Sequence, residues 1–209
     1  MPKSRTRRKA VSITAPRNVT SAGGITSVRS RKWLIVLSAI SLLACGGGWL
    51  WWQGRNAEQV FLDHVKRGRA ALSRVITQPN DGRGHVAPGE RVSYRSDLPT
   101  SGAHDPTWIK PGVYDSPQSP EMLVHSLEHG LIVIYYDHPA SEVLDTLKAW
   151  ARLYPAAWSG VVMTPKPGLQ STIVLTAWTK VLRLQTFDPD AAAAFVDAYR
   201  GRGPENPVR

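Results

Sequence analysis

The run from Trp33 to Trp52, WLIVLSAISLLACGGGWLWW, contains 20 residues and no charge. A helix of that length crosses a hydrocarbon core about 30 Å thick. A lone segment in lipid must satisfy its own backbone N–H and C=O groups, which leaves it only the helix. Trp33 marks one end of the run, and Trp49, Trp51 and Trp52 mark the other. Indole rings favour the headgroup boundary, and lysine- and arginine-rich flanks stay in the cytoplasm. Arg29, Arg31 and Lys32 adjoin the N-terminal end. The sequence therefore predicts a single-pass protein of the plasma (inner) membrane, its N-terminus cytoplasmic and its C-terminal domain extracytoplasmic. The lipid bilayer is the partner of residues 33–52.

The expected division is a basic, disordered cytoplasmic tail at 1–32, a transmembrane helix at 33–53, a juxtamembrane helix at 54–79 and an extracytoplasmic domain at 80–205. Two alternatives keep the domain outside the cytoplasm. Leu42 to Cys45, LLAC, resembles a lipoprotein cleavage site at which Cys45 would be acylated. Ala44 and Gly46 to Gly48 would also suit a cleaved secretory signal. The long charged region before the run and the tryptophan cluster after Cys45 favour the uncleaved anchor. Arg7-Arg8 stands too far from the apolar run for a twin-arginine signal.

The formal net charge is +10, but it is unevenly placed. Residues 1–32 hold nine of the 26 Lys/Arg and no Asp or Glu. The other 17 basic residues face all 16 acidic ones, which leaves the rest of the chain near neutral. The basicity belongs to a tail rich in Ser, Thr, Gly and Pro, the composition of a disordered segment. A basic nucleic-acid-binding surface on the domain is excluded. Cys45 is the only cysteine and lies in the apolar run. The outer domain therefore has no disulfide and no thiolate ligand, and a metal there would be held by nitrogen and oxygen.

Residues 55–76 repeat apolar side chains at helical spacing: Val60, Phe61, Val65, Leu72, Val75 and Ile76. Pro79 and NDGRG close that helix. The stretch 80–120 is rich in Pro and Gly and reads as loop, with a short strand around Arg91 to Tyr94. LIVIYY at 131–136 is of strand length and composition. Residues 141–154 read as a helix capped by Ser141, with Val143, Leu144, Leu147, Trp150 and Ala151 on its apolar side. Residues 160–164, 172–178 and 181–187 read as strands. Residues 189–199 read as a helix with Asp188 as cap, Pro189 at the first position and Gly201 as stop. The order predicts an α+β fold: a small sheet with helices packed on one face, preceded by a single N-terminal transmembrane helix.

All six histidines, His64, His85, His104, His125, His129 and His138, follow the apolar run. LVHSLEHG spans Leu123 to Gly130. On a helix over 121–129, His125, Glu128 and His129 share one side. H-x-x-E-H matches the inverted zinc-peptidase motif, in which two histidines hold zinc and the glutamate activates water. Those enzymes use a long helix and a distant third ligand, whereas here a strand follows at once. His85 in GRGHVAPGE and His104 in LPTSGAHDP sit in loops stiffened by Gly and Pro. His85, His104, His125, Glu128 and His129 are thus the candidate metal ligands, with Glu128 or Asp105 alternatively in an outer layer. The plainer reading makes His125 and Glu128 a helix-end pair and lets His104 bond its own loop. Met122 and Met163 can soften a copper site or simply pack. His64 and His138 read as surface residues. Trp108, Trp150, Trp158 and Trp178 read first as packing and second as the walls of a ligand cleft.

GRGHVAPGERVSY, LPTSGAHDP, GVYDSP, LVHSLEHGLIVIYY, LTAW and DAYRGRGPE occur in that order over roughly residues 80–205. Together they resemble the bacterial domain-of-unknown-function 3105 family. Its pattern has a proline where Leu98 stands, and usually one where Ala103 stands. The resemblance implies membrane anchoring and makes His85, His104, His125, Glu128 and His129 family motif positions. It implies no activity.

Three functions are expected, in order. The first is an anchored extracytoplasmic domain that binds a transition metal, zinc or copper, without obvious catalysis. The second is a non-enzymatic envelope domain that contacts a protein partner. The third is a metal-dependent hydrolase with Glu128 as base.

Overall fold

The computed structural model describes residues 35–38, 40–41, 55–169 and 173–209. The expected tail at 1–32 and most of the expected span lie outside them. Residues 35–38 and 40–41 are helical, and Ile35, Val36, Leu37 and Ile40 are 45–66% exposed. Among the described residues no helix is long and apolar enough to cross a membrane. The chain divides into two compact units, Met1–Gly47 and Gly48–Arg209. The elements described next belong to the second.

Four strands make the centre. β5 (Ile132–Tyr136) and β6 (Val161–Pro165) run parallel, and α3 (Ser141–Leu153) connects them. β7 (Ile173–Ala177) pairs antiparallel with β5 and with β8 (Lys180–Leu184). β1 (Ile76–Thr77) and β4 (Gly112–Val113) are two-residue edges, giving the order β1-β8-β7-β5-β6-β4. Edges this short offer little template for a foreign strand. β2 (Arg83–His85) and β3 (Gly102–His104) form a separate parallel pair.

Successive strand residues point to opposite faces, and both faces here are apolar. Ile132, Ile134, Val161, Met163, Ile173, Leu175, Leu182 and Leu184 share one buried cluster. Val133, Tyr135, Val162, Val174 and Val181 share the other. The first face is covered by α1 (residues 55–68), α3 and α4 (Pro189–Tyr199). Phe61 and Val65 of α1 lie one turn apart and insert into it, with Leu147 and Trp150 of α3 and Phe195 of α4. Phe61 meets the Trp150 and Tyr154 rings edge-on at 5.3 and 5.1 Å. α1 and α4 approach closely at Gly68, where a Cβ would lie 1.8 Å from the Asp190 carbonyl oxygen.

The second face is covered by α2 (Pro120–Glu128) through Leu123 and Leu127, with Leu98 and Ile109 from the preceding loop. The α+β class holds, but the expectation that all helices pack on one face is corrected. A strand that is apolar on both faces needs cover on both, and α2 supplies the second.

Other local expectations shift. The juxtamembrane helix does not reach residue 79. It stops at 68, a 3-10 turn follows at Arg69–Arg74, and Ile76–Thr77 joins the sheet beside β8. The helix packs on the domain through Phe61 and Val65. Arg91 to Tyr94 form no strand. The Val92 N–H donates to Glu121 Oε1, at the start of α2, instead of to a ladder. Ala140, not Ser141, occupies the cap position of α3, and no side chain caps it.

The α4 start is as expected. Asp188 accepts the Ala191 N–H at 3.0 Å, and Pro189 occupies the first turn. That backbone N–H holds the Asp188 carboxyl below its ordinary range, helped by Arg74 at 2.7 Å. A carboxyl depressed in the folded state adds stability above its unfolded pKa, and that stability disappears as pH falls through the folded one. Asp188→Ala is expected to cost about 1 kcal/mol at neutral pH. The gap between variant and parent should close in denaturant melts run below the carboxylate range.

Candidate metal centre

LVHSLEHG begins on α2 and ends in the turn that follows it. Pro120 occupies the first turn of α2, where a missing N–H costs nothing, and the helix ends at His129 in the cap position. Gly130 follows at φ +94°, a left-handed conformation suited to glycine, and turns the chain into β5. A Cβ at Gly130 would also lie 2.7 Å from the Gly203 nitrogen. Ser126, fully buried on α2, donates to the Ile109 carbonyl and accepts the Ile109 N–H, each at 2.9 Å. This pins the 105–109 loop against the helix.

The β2–β3 pair supplies the other two imidazoles. His85 and His104 are in register across it, and Gly102 opens β3 at φ +117°. The ring centroids of His85, His104 and His125 lie 4.9–5.1 Å apart. One ligand atom from each of His85, His104, His125 and Glu128 falls within 4.8 Å of all the others. His104, His125 and Glu128 are buried, and His85 is exposed.

Hydrogen bonds fix which nitrogens face the group. Carbonyl oxygens only accept. Nδ1–H of His104 therefore donates to the Gly102 carbonyl and Nδ1–H of His125 to the Asp105 carbonyl, each at 2.8 Å. In the neutral ring, Nε2 is then the nitrogen with the free lone pair. Backbone carbonyls that orient histidine in this way are a recurring feature of metal centres. Burial holds the His125 pKa below its ordinary value, with further lowering from His104 and His85, so its ring favours the neutral form that ligates. His104 is fully buried; its Nε2 has no hydrogen-bond partner and lies 3.0 Å from Glu128 Oε2. With the His104 ring neutral, two acceptors face each other at that distance, and a cation between them relieves the clash.

Asp105 contributes its carbonyl, not its carboxylate. The carboxylate accepts the Gly89 and Thr107 N–H groups at 2.7 Å each, and those two bonds hold its pKa low. The outer role expected of Asp105 is therefore played by its backbone. The helix-end pair expected between His125 and Glu128 is replaced by the contact of Glu128 with His104.

His129 stands apart from the four. Its Nε2 lies 2.9 Å from Glu205 Oε2, and its ring stacks on Trp158 at 4.2 Å. The rings of His125 and Trp108 lie 4.6 and 4.7 Å away. Burial lowers its pKa. His125, His129 and Glu205 form a second group whose ligand atoms lie within 4.8 Å of one another. Glu205 closes DAYRGRGPE but is not among the candidate ligands, because it sits in a Gly- and Pro-rich stretch with no histidine at ligand spacing. The C-terminal segment reaches the site because the Gly201 N–H donates to the Gly130 carbonyl at 2.7 Å and the Glu205 N–H to the Glu128 carbonyl at 3.3 Å.

The remaining candidates lie elsewhere. Met163 belongs to the buried cluster on the opposite sheet face, and Met122, on α2, packs partly buried against the other cluster. His138 is exposed, as expected. His64 is not a plain surface residue: it is partly buried and bonded to Asp190 and Arg67. Trp150 is core, and Trp178 packs on the α2 side.

A family model described as protein of unknown function (DUF3105) matches residues 85–209. No curated protein and no solved structure matches the chain.

Proposed function

The chain belongs to this DUF3105 family, and on that premise we propose that its folded domain binds a single transition-metal ion, held outside the cytoplasm by the apolar run at 33–52. One observation carries the metal reading: the buried, unpartnered His104 Nε2 facing a glutamate carboxylate at 3.0 Å. A cation between them removes the clash. His85 and His125 complete three imidazoles and one carboxylate, a four-ligand set that suits zinc, or copper outside the cytoplasm. Ligation would draw the donor atoms to about 2.0–2.1 Å from zinc. With Glu128 among the ligands, the glutamate that H-x-x-E-H would use to activate water is occupied, which favours binding over hydrolysis. His85 is exposed, so the ion stays open to exchange with solvent. The anchor is supported by the uncharged run and by the exposed apolar side chains of Ile35, Val36, Leu37 and Ile40.

Elemental analysis of the full chain, purified without chelator, is expected to find about one zinc or copper per chain. Chelator treatment should lower Tm, and the same ion should restore it. A metal-free preparation whose melting neither ion moves would sink the reading.

A further inference from the structure

We propose that His125, His129 and Glu205 form a second, outer position through which one ion passes to the four-ligand centre. The inference rests on the metal-binding reading and adds a route to it. His129 is 5% exposed, its Nδ1 has no partner, and its Nε2 already faces the Glu205 carboxylate. Such a buried nitrogen is an unusual expense unless something binds beside it.

His125 belongs to both groups. Its Nδ1–H is committed to the Asp105 carbonyl, so only Nε2 can ligate. One lone pair serves one ion. The two groups are therefore alternative positions for a single ion and cannot be filled together.

The two positions differ in access and in strength. The Glu205 side chain is 44% exposed, while that of Glu128 is 8% exposed. A carboxylate at the surface attracts a cation and raises its rate of arrival. Three ligands at the outer position hold the ion less firmly than four at the inner one, so transfer runs inward. The guanidinium of Arg83 stands 3.9 Å from Glu128 Oε1 and donates to the Pro204 carbonyl at 3.1 Å. That fixed positive charge disfavours a cation approaching Glu128 directly. Trp158 and Trp108 flank His129 and place a reporter beside the outer position.

The test is stopped-flow quenching of tryptophan fluorescence in the full chain by Cu(II) alone, with equilibrium titration of the same variants. Glu205→Gln is expected to slow association about tenfold and to leave the final affinity within about threefold. Glu205→Asp keeps the charge but shortens the reach, and should slow it as well. His104→Ala should keep fast arrival and lose tight retention. Saturation should come at one ion per chain. Wild-type rates in Glu205→Gln, full rates in Glu205→Asp, or two ions bound at once would each overturn the outer position. A wild-type chain that binds no Cu(II) tightly would remove the metal-binding reading and this one with it.

Discussion

Gly203→Ala is expected to lift the C-terminal segment off the candidate metal centre and to cost about 2–4 kcal/mol of stability. A Cβ at this residue would lie 2.1 Å from the Glu128 carbonyl oxygen and 2.2 Å from the Gly130 nitrogen. Both are backbone atoms at the end of α2, and neither can swing away as the tip of a side chain would. The segment must move instead. It then loses the Gly201-to-Gly130 and Glu205-to-Glu128 backbone bonds, the Arg83 bond to the Pro204 carbonyl and the Glu205 partner of His129. Several of these groups are buried, and each one left unsatisfied costs about 1–3 kcal/mol. Gly84→Ala is the control. Nothing stands within 4 Å of its added Cβ, so its stability should stay within about 0.5 kcal/mol of the parent. Urea denaturation of both variants checks the pair. A Gly203→Ala chain as stable as Gly84→Ala would mean that the segment does not clamp this turn.

The same contacts explain what the sequence could and could not disclose. β5 to β8 were legible because each is a short, mostly apolar run bounded by turns, and α4 because Asp188, Pro189 and Gly201 punctuate it. The placement of α2 was not. β5 carries Ile132 and Ile134 on one face and Val133 and Tyr135 on the other. Alternation between two apolar faces does not say which helix covers which. The β2–β3 pair was equally hidden, since GRGH and GAH hold no β-branched residue and no Phe, Tyr or Trp. Yet that pairing brings His85 beside His104. Periodicity placed His125, Glu128 and His129 on one side of a helix over 121–129; the helix runs Pro120–Glu128, with His129 at its cap. Spacing alone could not tell that the His129 ring turns to Trp158 and Glu205 while Glu128 turns to His104. Ring direction is set by tertiary partners, and those come from stretches far away in the chain.

Glu128→Gln separates a metal centre from a buried salt bridge because the two readings predict opposite signs. If the contact between His104 and Glu128 is an ion pair that holds the fold, the substitution breaks a buried pair. It should then cost about 3–5 kcal/mol. If the contact is half of a metal site, the chelated parent carries two acceptors face to face, and the carboxylate is the poorer occupant. Nδ1–H of His104 is committed to the Gly102 carbonyl, so in the neutral ring Nε2 can only accept. A glutamine amide N–H can donate to it, and a satisfied hydrogen bond is worth about 1 kcal/mol. The lost attraction to Arg83 is small, because the guanidinium is 53% exposed and 3.9 Å away. Chelated Glu128→Gln is therefore expected to melt at or above the chelated parent. Adding zinc or copper at about 100 times Kd stabilises the parent by about 2.7 kcal/mol, several degrees for a domain of this size. The variant should show little of that shift, since an amide oxygen is a much weaker ligand than a carboxylate for an ion of this charge. A large loss of stability in the metal-free variant would return His104 and Glu128 to the role of an ordinary salt bridge.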